Sequence, residues 1–301
     1  MASVTQLRAF HLVATAGGYS QAAREMAVSQ STLSGQVRQL EAASGLALFE
    51  RGPRGVRLTE EGTALYQVTS RLFSALGEAG DLLKSRRTDG GRLRVASDGM
   101  VHSLPILRAL RQRRPNLVFS ILLHNSDNVL EQLAQFRADV GITAQRPKDD
   151  RFHVHPLTAM KLGVFLPKTH PWAQQRSVGI RDLEGVPFVL RERGSRTREV
   201  FEQHLAAHGV VLGDIIEVST REGVREAVAA GFGMGATADL EFGFDSRLHF
   251  LQLRNPTLTI EEYVVCLDER RRVPMIADFF DCAVQAFAPP AQLCLSDSEA
   301  A

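Results

Sequence analysis

Residues 20–41, SQAAREMAVSQSTLSGQVRQLE, constrain this chain more than any other stretch. Ala22, Ala23 and Met26 recur at helical spacing behind a polar cap at Ser20. Ser29 opens a second segment, with Leu33, Val37 and Leu40 at i, i+4 and i+7. Two such segments in close succession predict two short helices joined by a tight turn. With Leu33 at the centre of the buried stripe, Ser31, Gly35 and Arg38 fall on the opposite side, flanked by Thr32, Ser34 and Gln39. A small, polar face with one cation suits a helix lying in a DNA major groove. Short side chains permit close approach there, and hydroxyls and amides meet base edges and phosphates. An ordinary helical hairpin with a solvated face has the same pattern, so the neighbouring residues must discriminate.

Residues 46–59, LALFERGPRGVRLT, set Gly52, Pro53 and Gly55 between two apolar runs and carry Arg51, Arg54 and Arg57. This predicts a short hairpin whose arginines straddle a phosphate backbone. VSQSTLSGQVRQLE followed by LFERGPRGVRLTEEG, in that order and spacing, resembles the winged helix-turn-helix of the LysR-type transcriptional regulators. The resemblance implies double-stranded promoter DNA as partner. Ser29, Gln30, Ser31, Thr32, Ser34, Arg38, Arg51, Arg54 and Arg57 are the candidate DNA-binding residues. Gly35 departs from the pattern, standing where many members carry a basic residue, which leaves base preference open.

The formal net charge of +1 excludes a general polycation, so nucleic-acid contact requires local clustering. Over residues 1–58, Arg8, Arg24, Arg38, Arg51, Arg54 and Arg57 outnumber Glu25, Glu41 and Glu50. A length of 301 residues with 44% hydrophobic content suggests two or three folded units. Cys266, Cys282 and Cys294 lack metal-ligand or disulfide-framework spacing and fit a reducing compartment. No apolar run suits a signal peptide or a membrane span, so a cytoplasmic location without membrane contact is expected.

Leu7, Phe10, Leu12 and Val13 predict a helix closing the core beneath the reading helices, ended by Gly17 and Gly18. Beyond the hairpin, Leu65, Val68, Leu72, Ala75, Ala79 and Leu82 form a heptad seam over residues 60–84. Such a helix is about 37 Å long, more than one small domain needs for its own core. It reads as a homodimerisation helix, or alternatively as an amphipathic helix packed on its own chain. Two heads held at a fixed separation recognise two half-sites. The basic, glycine-bearing residues 84–92 read as a hinge.

From Leu93 the pattern changes to short β-branched runs alternating with helical stretches, among them LRVAS, VFSILL and VGIT, with helices at 104–113 and 128–137. This predicts α/β units with mainly parallel sheets, split between two lobes with a ligand at the strands' carboxyl ends. The expected organisation is a winged helix-turn-helix domain at 1–59 and a linker helix with hinge at 60–92. An α/β two-lobed effector-binding domain follows at 93–287, with lobe 1 at about 93–160 and 265–287 and lobe 2 at about 161–264. A frayed tail occupies 288–301. The second part resembles the effector-binding domain of the LysR family, itself similar to type 2 periplasmic binding proteins; in that family homotetramers are common.

Polar helix starts are expected at Ser103, at Ser126 with Asn128, at Ser195 with Thr197, and at Ser219 with Thr220. Asn128 with Glu131 and Ser219 with Glu222 match capping-box spacing. Each could be a simple cap, but several helix N-termini around one crevice would suit an anion. The candidate effector-binding residues are Ser97, Asp98, His102, Ser103, Asn125, Ser126, Ser195, Arg196, Thr197, Thr220 and Arg221. Asp98 would repel an anion unless the ligand also bears a cationic group. RERGSRTREVFEQHL, STREGVREAVAAGFGMGATADLEFGFDSRL and EEYVVCLDERR resemble the LysR subgroup associated with 2-aminoethylphosphonate catabolism. That resemblance implies a small anionic or zwitterionic effector, a phosphonate, while Asp98 and His102 in SDGMVHSLP depart from it. A different carboxylate or anion is the alternative.

No catalytic residue, cofactor or metal is expected. His204 and His208 lie at i, i+4 without a zincin glutamate and read as helix-terminal histidines favoured by the dipole. His153 and His155 share a strand face without a third ligand. GFGMG at 231–235 follows a helix, the wrong order for a dinucleotide turn, and no G-x-S-x-G or Walker motif occurs. The remaining alternative is a stand-alone anion-binding or enzymatic α/β protein, from which DNA binding discriminates.

Overall fold

A computed structural model describes residues 2–26, 28–52, 55–85, 91–254 and 258–288. Arg54, Cys294, most of the expected hinge at 84–92 and nearly all of the tail at 288–301 lie outside the described residues. The chain divides into two compact units, residues 1–88 with 135–137 and residues 89–134 with 138–301.

The first unit begins with α1 (Val4–Ala16), opened by a capping box in which Ser3 and Gln6 exchange side-chain and backbone hydrogen bonds. Next come α2 (Tyr19–Met26) and α3 (Gln30–Ser44), the latter capped by Ser29, whose hydroxyl accepts from Thr32 N–H. An antiparallel hairpin of β1 (Phe49–Gly52) and β2 (Gly55–Leu58) leads into α4 (Glu60–Ser85). Phe10, Val13, Leu33, Val37, Leu40, Leu48 and Tyr66 form one buried cluster, the expected apolar faces meeting each other. Glu41 Oε1 accepts from Leu48 and Phe49 N–H, fastening the end of α3 to the hairpin.

On α4 the unit's own core takes Tyr66, Thr69 and Ser70. Along the heptad seam Leu65 and Leu72 are half-buried, Val68, Ala75 and Ala79 are exposed, and the side chain of Leu82 lies outside the described residues. Exposed Leu76 adjoins the seam.

The second unit contains, in order, β3 (Gly91–Ser97), α5 (Met100–Arg113), β4 (Leu117–Leu123), α6 (Ser126–Ala134), β5 (Val140–Thr143) and β6 (Phe152–Pro167). β7 (Ser177–Val178), β8 (Phe188–Arg191), α7 (Arg196–Ala207), β9 (Ile215–Val218), α8 (Arg221–Ala229) and β10 (Met234–Ala238) follow. The last elements are α9 (Asp239–Phe242), β11 (Leu248–Leu253), β12 (Thr259–Leu267) and α10 (Pro274–Ala286). The strand order is β4-β3-β5-β12-β6-β10-β8-β9, with β11 on β6 and β7 on β11.

β6 is the strand that joins the two lobes. Its residues 152–161 pair with β12, and 162–167 pair with β10 or β11. Within each lobe the outer strands are parallel, β3 with β4 and β5, and β8 with β9 and β10. The mainly parallel reading needs qualification at the crossing, where β6 and β12 run antiparallel to each other. One carries the chain out of the first lobe and the other returns it, which demands opposite directions. Separate buried clusters fill the lobes, around Ile106, Ile142 and Phe279 in the first and Leu162, Phe188 and Phe201 in the second.

The start of α7 after Ser195 is as expected, whereas three other helix starts are shifted. α5 begins at Met100, not near residue 104, so Ser103 lies inside the helix and donates back to the Gly99 carbonyl. Pro105 lies inside α5, past the first turn, and removes the N–H that would otherwise bond the Val101 carbonyl. Asn125 rather than Asn128 caps α6, its Oδ1 accepting Asn128 N–H. Thr220 rather than Ser219 caps α8, accepting Gly223 N–H. Short polar side chains two or three apart are interchangeable by pattern, and the backbone path selects one.

Gly62 provides a test of the hairpin's seating. A Cβ there would stand 2.1 Å from the Leu48 carbonyl oxygen, which belongs to the backbone and cannot swing away. Gly62→Ala should destabilise the first unit by about 1–3 kcal/mol, read as a lower unfolding midpoint in calorimetry; an unchanged midpoint would refute the contact.

Candidate nucleic-acid interface and interlobe cleft

The start of α3 presents a cluster of hydroxyls. Ser29 Oγ lies 2.8 Å from Ser31 Oγ and 2.7 Å from Thr32 Oγ1, and Ser20 donates to Gln30 Oε1. Ser29, Gln30, Ser31, Thr32 and Arg38 are exposed and Ser34 is half-buried, opposite the Leu33–Val37–Leu40 stripe. Arg51 and Arg57 stand exposed on the hairpin strands, Arg57 facing Glu50 in register. Arg54 lies outside the described residues.

In the second unit, four helix starts meet between the lobes. Arg221 Nη1, at the start of α8, lies 2.4 Å from where a Cβ on Gly99, the cap of α5, would stand. Asn125, capping α6, donates to the Arg193 carbonyl, and its amide approaches Gly194 just before α7. Ser195 caps α7 with its backbone alone, making no side-chain cap bond. Arg191, Thr197, Arg221, Thr237 and Glu241 line a recess of about 30 Å³, room for a water or two, so a larger ligand requires movement of the lining.

Behind this recess lies a buried polar cluster. Asp98 Oδ2 accepts from Ser126 Oγ at 2.6 Å and Ala144 N–H at 2.8 Å, whereas its Oδ1 has no donor. His102 is 1% exposed with both ring nitrogens lacking a hydrogen-bond partner; its Nδ1 is 3.9 Å from Glu262 Oε2. Arg221 Nη2 pairs with Glu241 at 2.6 Å. Burial and the neighbouring Asp98 and Glu241 hold the Glu262 carboxyl well above the usual carboxylate range. Burial also raises Glu241, against the pull of Arg221. Arg221 is raised despite burial, by Glu241, Asp98 and Glu262. Burial pushes His102 down to about 4, against Asp98 and with Arg221.

Of the expected effector residues, the fold brings Asp98, His102, Ser126 and Arg221 together. Ser97 and Ser103 sit behind them, bonded to each other at 2.7 Å and to the Gly99 carbonyl, where they secure the start of α5. Arg196 is elsewhere. It pairs with Glu199 and lines a different cavity with Arg146, Lys148 and Tyr263. Thr220 is exposed and engaged as a cap. Glu241 and Glu262 were not foreseen. In IEEYVV the inward alternation of Ile260 and Glu262 was the available signal, a carboxylate on the buried face of a strand.

The other motifs carry less. The His204 and His208 rings lie 4.4 Å apart and tilted by 58°, and burial together with the neighbouring ring lowers His204. His153 packs on Phe280. Gly231 and Gly233 take positive φ where the chain leaves α8, consistent with a helix end. Cys266 and Cys282 are free and buried. Among the described residues no helix is long and apolar enough to cross a membrane.

A winged helix-turn-helix joined to a two-lobed α/β unit with a polar cleft defines a DNA-binding transcriptional regulator. The chain belongs to the LysR family: residues 4–63 match the bacterial regulatory helix-turn-helix protein, lysR family, and residues 86–288 match the LysR substrate binding domain. It is 30% identical over 239 residues to the RuBisCO operon transcriptional regulator of Allochromatium vinosum, covering 78% of this chain and 79% of that one. In fold it is similar to full-length CbnR complexed with its target DNA, with a TM-score of 0.68 at 23% identity, covering 94% of this chain and 99% of that one. It is also similar to the CcmR regulatory domain of Synechocystis PCC6803 in complex with 2-PG, with a TM-score of 0.61 at 22% identity, covering 67% and 99%. With both family models matched, the chain is a regulator and not an enzyme.

His102 gives the second unit a pH signature. The unfolded chain protonates its histidines near 6.5, whereas folded His102 stays neutral down to about 4. Between those values the unfolded state binds more protons, so stability falls as pH falls through that window. His102→Gln should make this decline shallower in thermal melts from neutral pH to about 4; an identical decline would show that His102 ionises freely.

Proposed function

We propose that this chain holds a promoter as a homodimer and that a small organic anion bound between its lobes modulates that hold. The observation that supports the effector half most directly is the convergence of the α5, α6, α7 and α8 starts on one cleft. Free N–H groups and helix dipoles favour an anion there. Ser195 and Thr197 add hydroxyls, and Arg221 adds charge. The phosphonate of the resembled subgroup is one candidate, and 2-aminoethylphosphonate its specific form. The relatives' names refer instead to a RuBisCO operon and to 2-PG, which favours a carboxylate or another small anion.

For DNA, the exposed hydroxyl cluster of α3 is the part that reads base edges, and Arg38, Arg51, Arg54 and Arg57 engage phosphates. The seam on α4, exposed at Val68, Ala75 and Ala79 beside Leu76, is the dimer contact, with pairing of dimers into tetramers a further step. Such a protein works in the cytoplasm. Ligand acts only through its differential affinity for two arrangements of the protein, and no bond is made or broken.

Footprinting on the promoter beside its own gene tests the whole reading; equal affinity for that fragment and for competitor DNA would end it. Arg57→Ala should weaken every sequence about equally and reduce the salt slope by about one, whereas Ser31→Ala should alter sequence preference. In sedimentation, Val68→Lys combined with Leu76→Glu should shift the dimer to monomer, and persistence of the dimer would assign the contact elsewhere.

A further inference from the structure

We propose that Gly35 fixes base preference at one position of each half-site, by leaving room on α3 for a thymine 5-methyl group; this rests on α3 being the helix that enters the major groove. Glycine is, after proline, the least favourable residue inside a helix, because it gives up the most backbone freedom on ordering. A glycine held there calls for a reason beyond propensity. For two helical glycines the reason is internal: a Cβ at Gly62 would stand 2.1 Å from the Leu48 carbonyl oxygen, and one at Gly223 would stand 2.6 Å from Val218 Cγ1. Gly35 has no such neighbour. It lies within α3, has no positive φ, and an added Cβ would meet nothing within 4 Å. The fold itself would accept a side chain. Gly77 and Gly80 stand in open space too, next to exposed Leu76 and Ala79 on α4, where a second copy is proposed to pack.

The surroundings of Gly35 point to what fills the space. Leu33, Val37 and Leu40 are buried on the other side of α3, while Gly35 follows Ser31 by four residues and precedes Arg38 by three. It therefore occupies the middle of the outward face. Along that line a helix in the groove comes closest to the base edges. Gly35 offers them only Cα–H, because its N–H and C=O belong to the helix ladder. It can neither accept from a cytosine or adenine amino group nor donate to a guanine or adenine ring nitrogen. A base needing such a partner would be left unpaired there. Thymine alone carries an apolar group on its major-groove edge. Nearby polar side chains are already placed: the Ser31 and Thr32 hydroxyls lie in hydrogen-bond contact with Ser29 Oγ, and Gln30 accepts from Ser20. The gap at Gly35 thus keeps its shape. A thymine methyl takes the volume that a Cβ would fill, so the two compete for it.

Selection of duplexes from a randomised library by the full-length protein, followed by replacement of each selected thymine with deoxyuridine, tests this. Deoxyuridine lacks only the 5-methyl and pairs as thymine does. At one thymine of each half-site the natural protein should lose about fourfold in affinity, the worth of one buried methyl-sized group. Gly35→Ala should reverse the preference at that position and hold the deoxyuridine duplex more tightly than the thymine one, because its Cβ replaces the missing methyl. Its melting temperature should equal or exceed that of the natural protein. Its affinity for competitor DNA, which depends on phosphates and salt, should be unchanged. A Gly35→Ala protein whose thymine-to-deoxyuridine profile matches the natural one, or whose preference for thymine increases, overturns the proposal. A lowered melting temperature makes the glycine a requirement of the fold and overturns it equally. If the natural protein selects no sequence over competitor DNA, the promoter reading itself falls, a result distinct from selection that is insensitive to residue 35.

Discussion

Two antiparallel strands passing side by side between the lobes are what the effector unit is built upon. β6 exchanges β12 for β10 and β11 near residue 161, and β12 returns along the same path. The lobes are thus joined by a hydrogen-bonded pair rather than by loose linkers. A register shift between Glu262 and Tyr263 falls on this pair, and such irregularities re-aim side chains. It helps to explain how a glutamate comes to be fully buried in the middle of a sheet. The helices that follow the other strands begin around the same place, so the crossing organises both polarities of the cleft.

The same unit contains two buried acids treated in opposite ways. Asp139 is held by Arg94 at 2.7 Å and Arg270 at 2.8 Å, and despite burial these arginines keep its carboxyl below the usual range. It is a closed arrangement that leaves little capacity for a ligand. Around Asp98 and Glu262, Arg221 supplies positive charge, and burial with the neighbouring acids drives the Glu262 carboxyl toward its neutral form. Burying an unpaired charge is expensive, so a protein retains such an arrangement mainly where something else completes it.

In the first unit local pattern and tertiary contact agree. The apolar stripe of α3 packs on Phe10 and Val13 of α1, so the opposite, hydroxyl-bearing face is turned to solvent. Glu41 reaches from α3 to the backbone of the hairpin, so reading helix and wing are fastened to each other. On α4 the core uses one face and leaves much of another apolar face uncovered.

By itself the sequence determined the periodicities: the helix pair at 20–41, the hairpin, the long amphipathic helix, the α/β alternation and the return of the chain near residue 265. These depend on spacing within a few residues, which local physics sets. It also named Asp98, His102 and Arg221 as polar residues near helix starts. Only the tertiary structure decided which polar residues share a cavity. Arg196 and Arg221 look alike as arginines opening helices, yet one pairs with Glu199 on another surface and the other is drawn in by Glu241. Glu241 and Glu262 join His102 from across 160 residues of chain at most. Such a meeting depends on which strands cross between the lobes and in what register, and no local pattern carries that information.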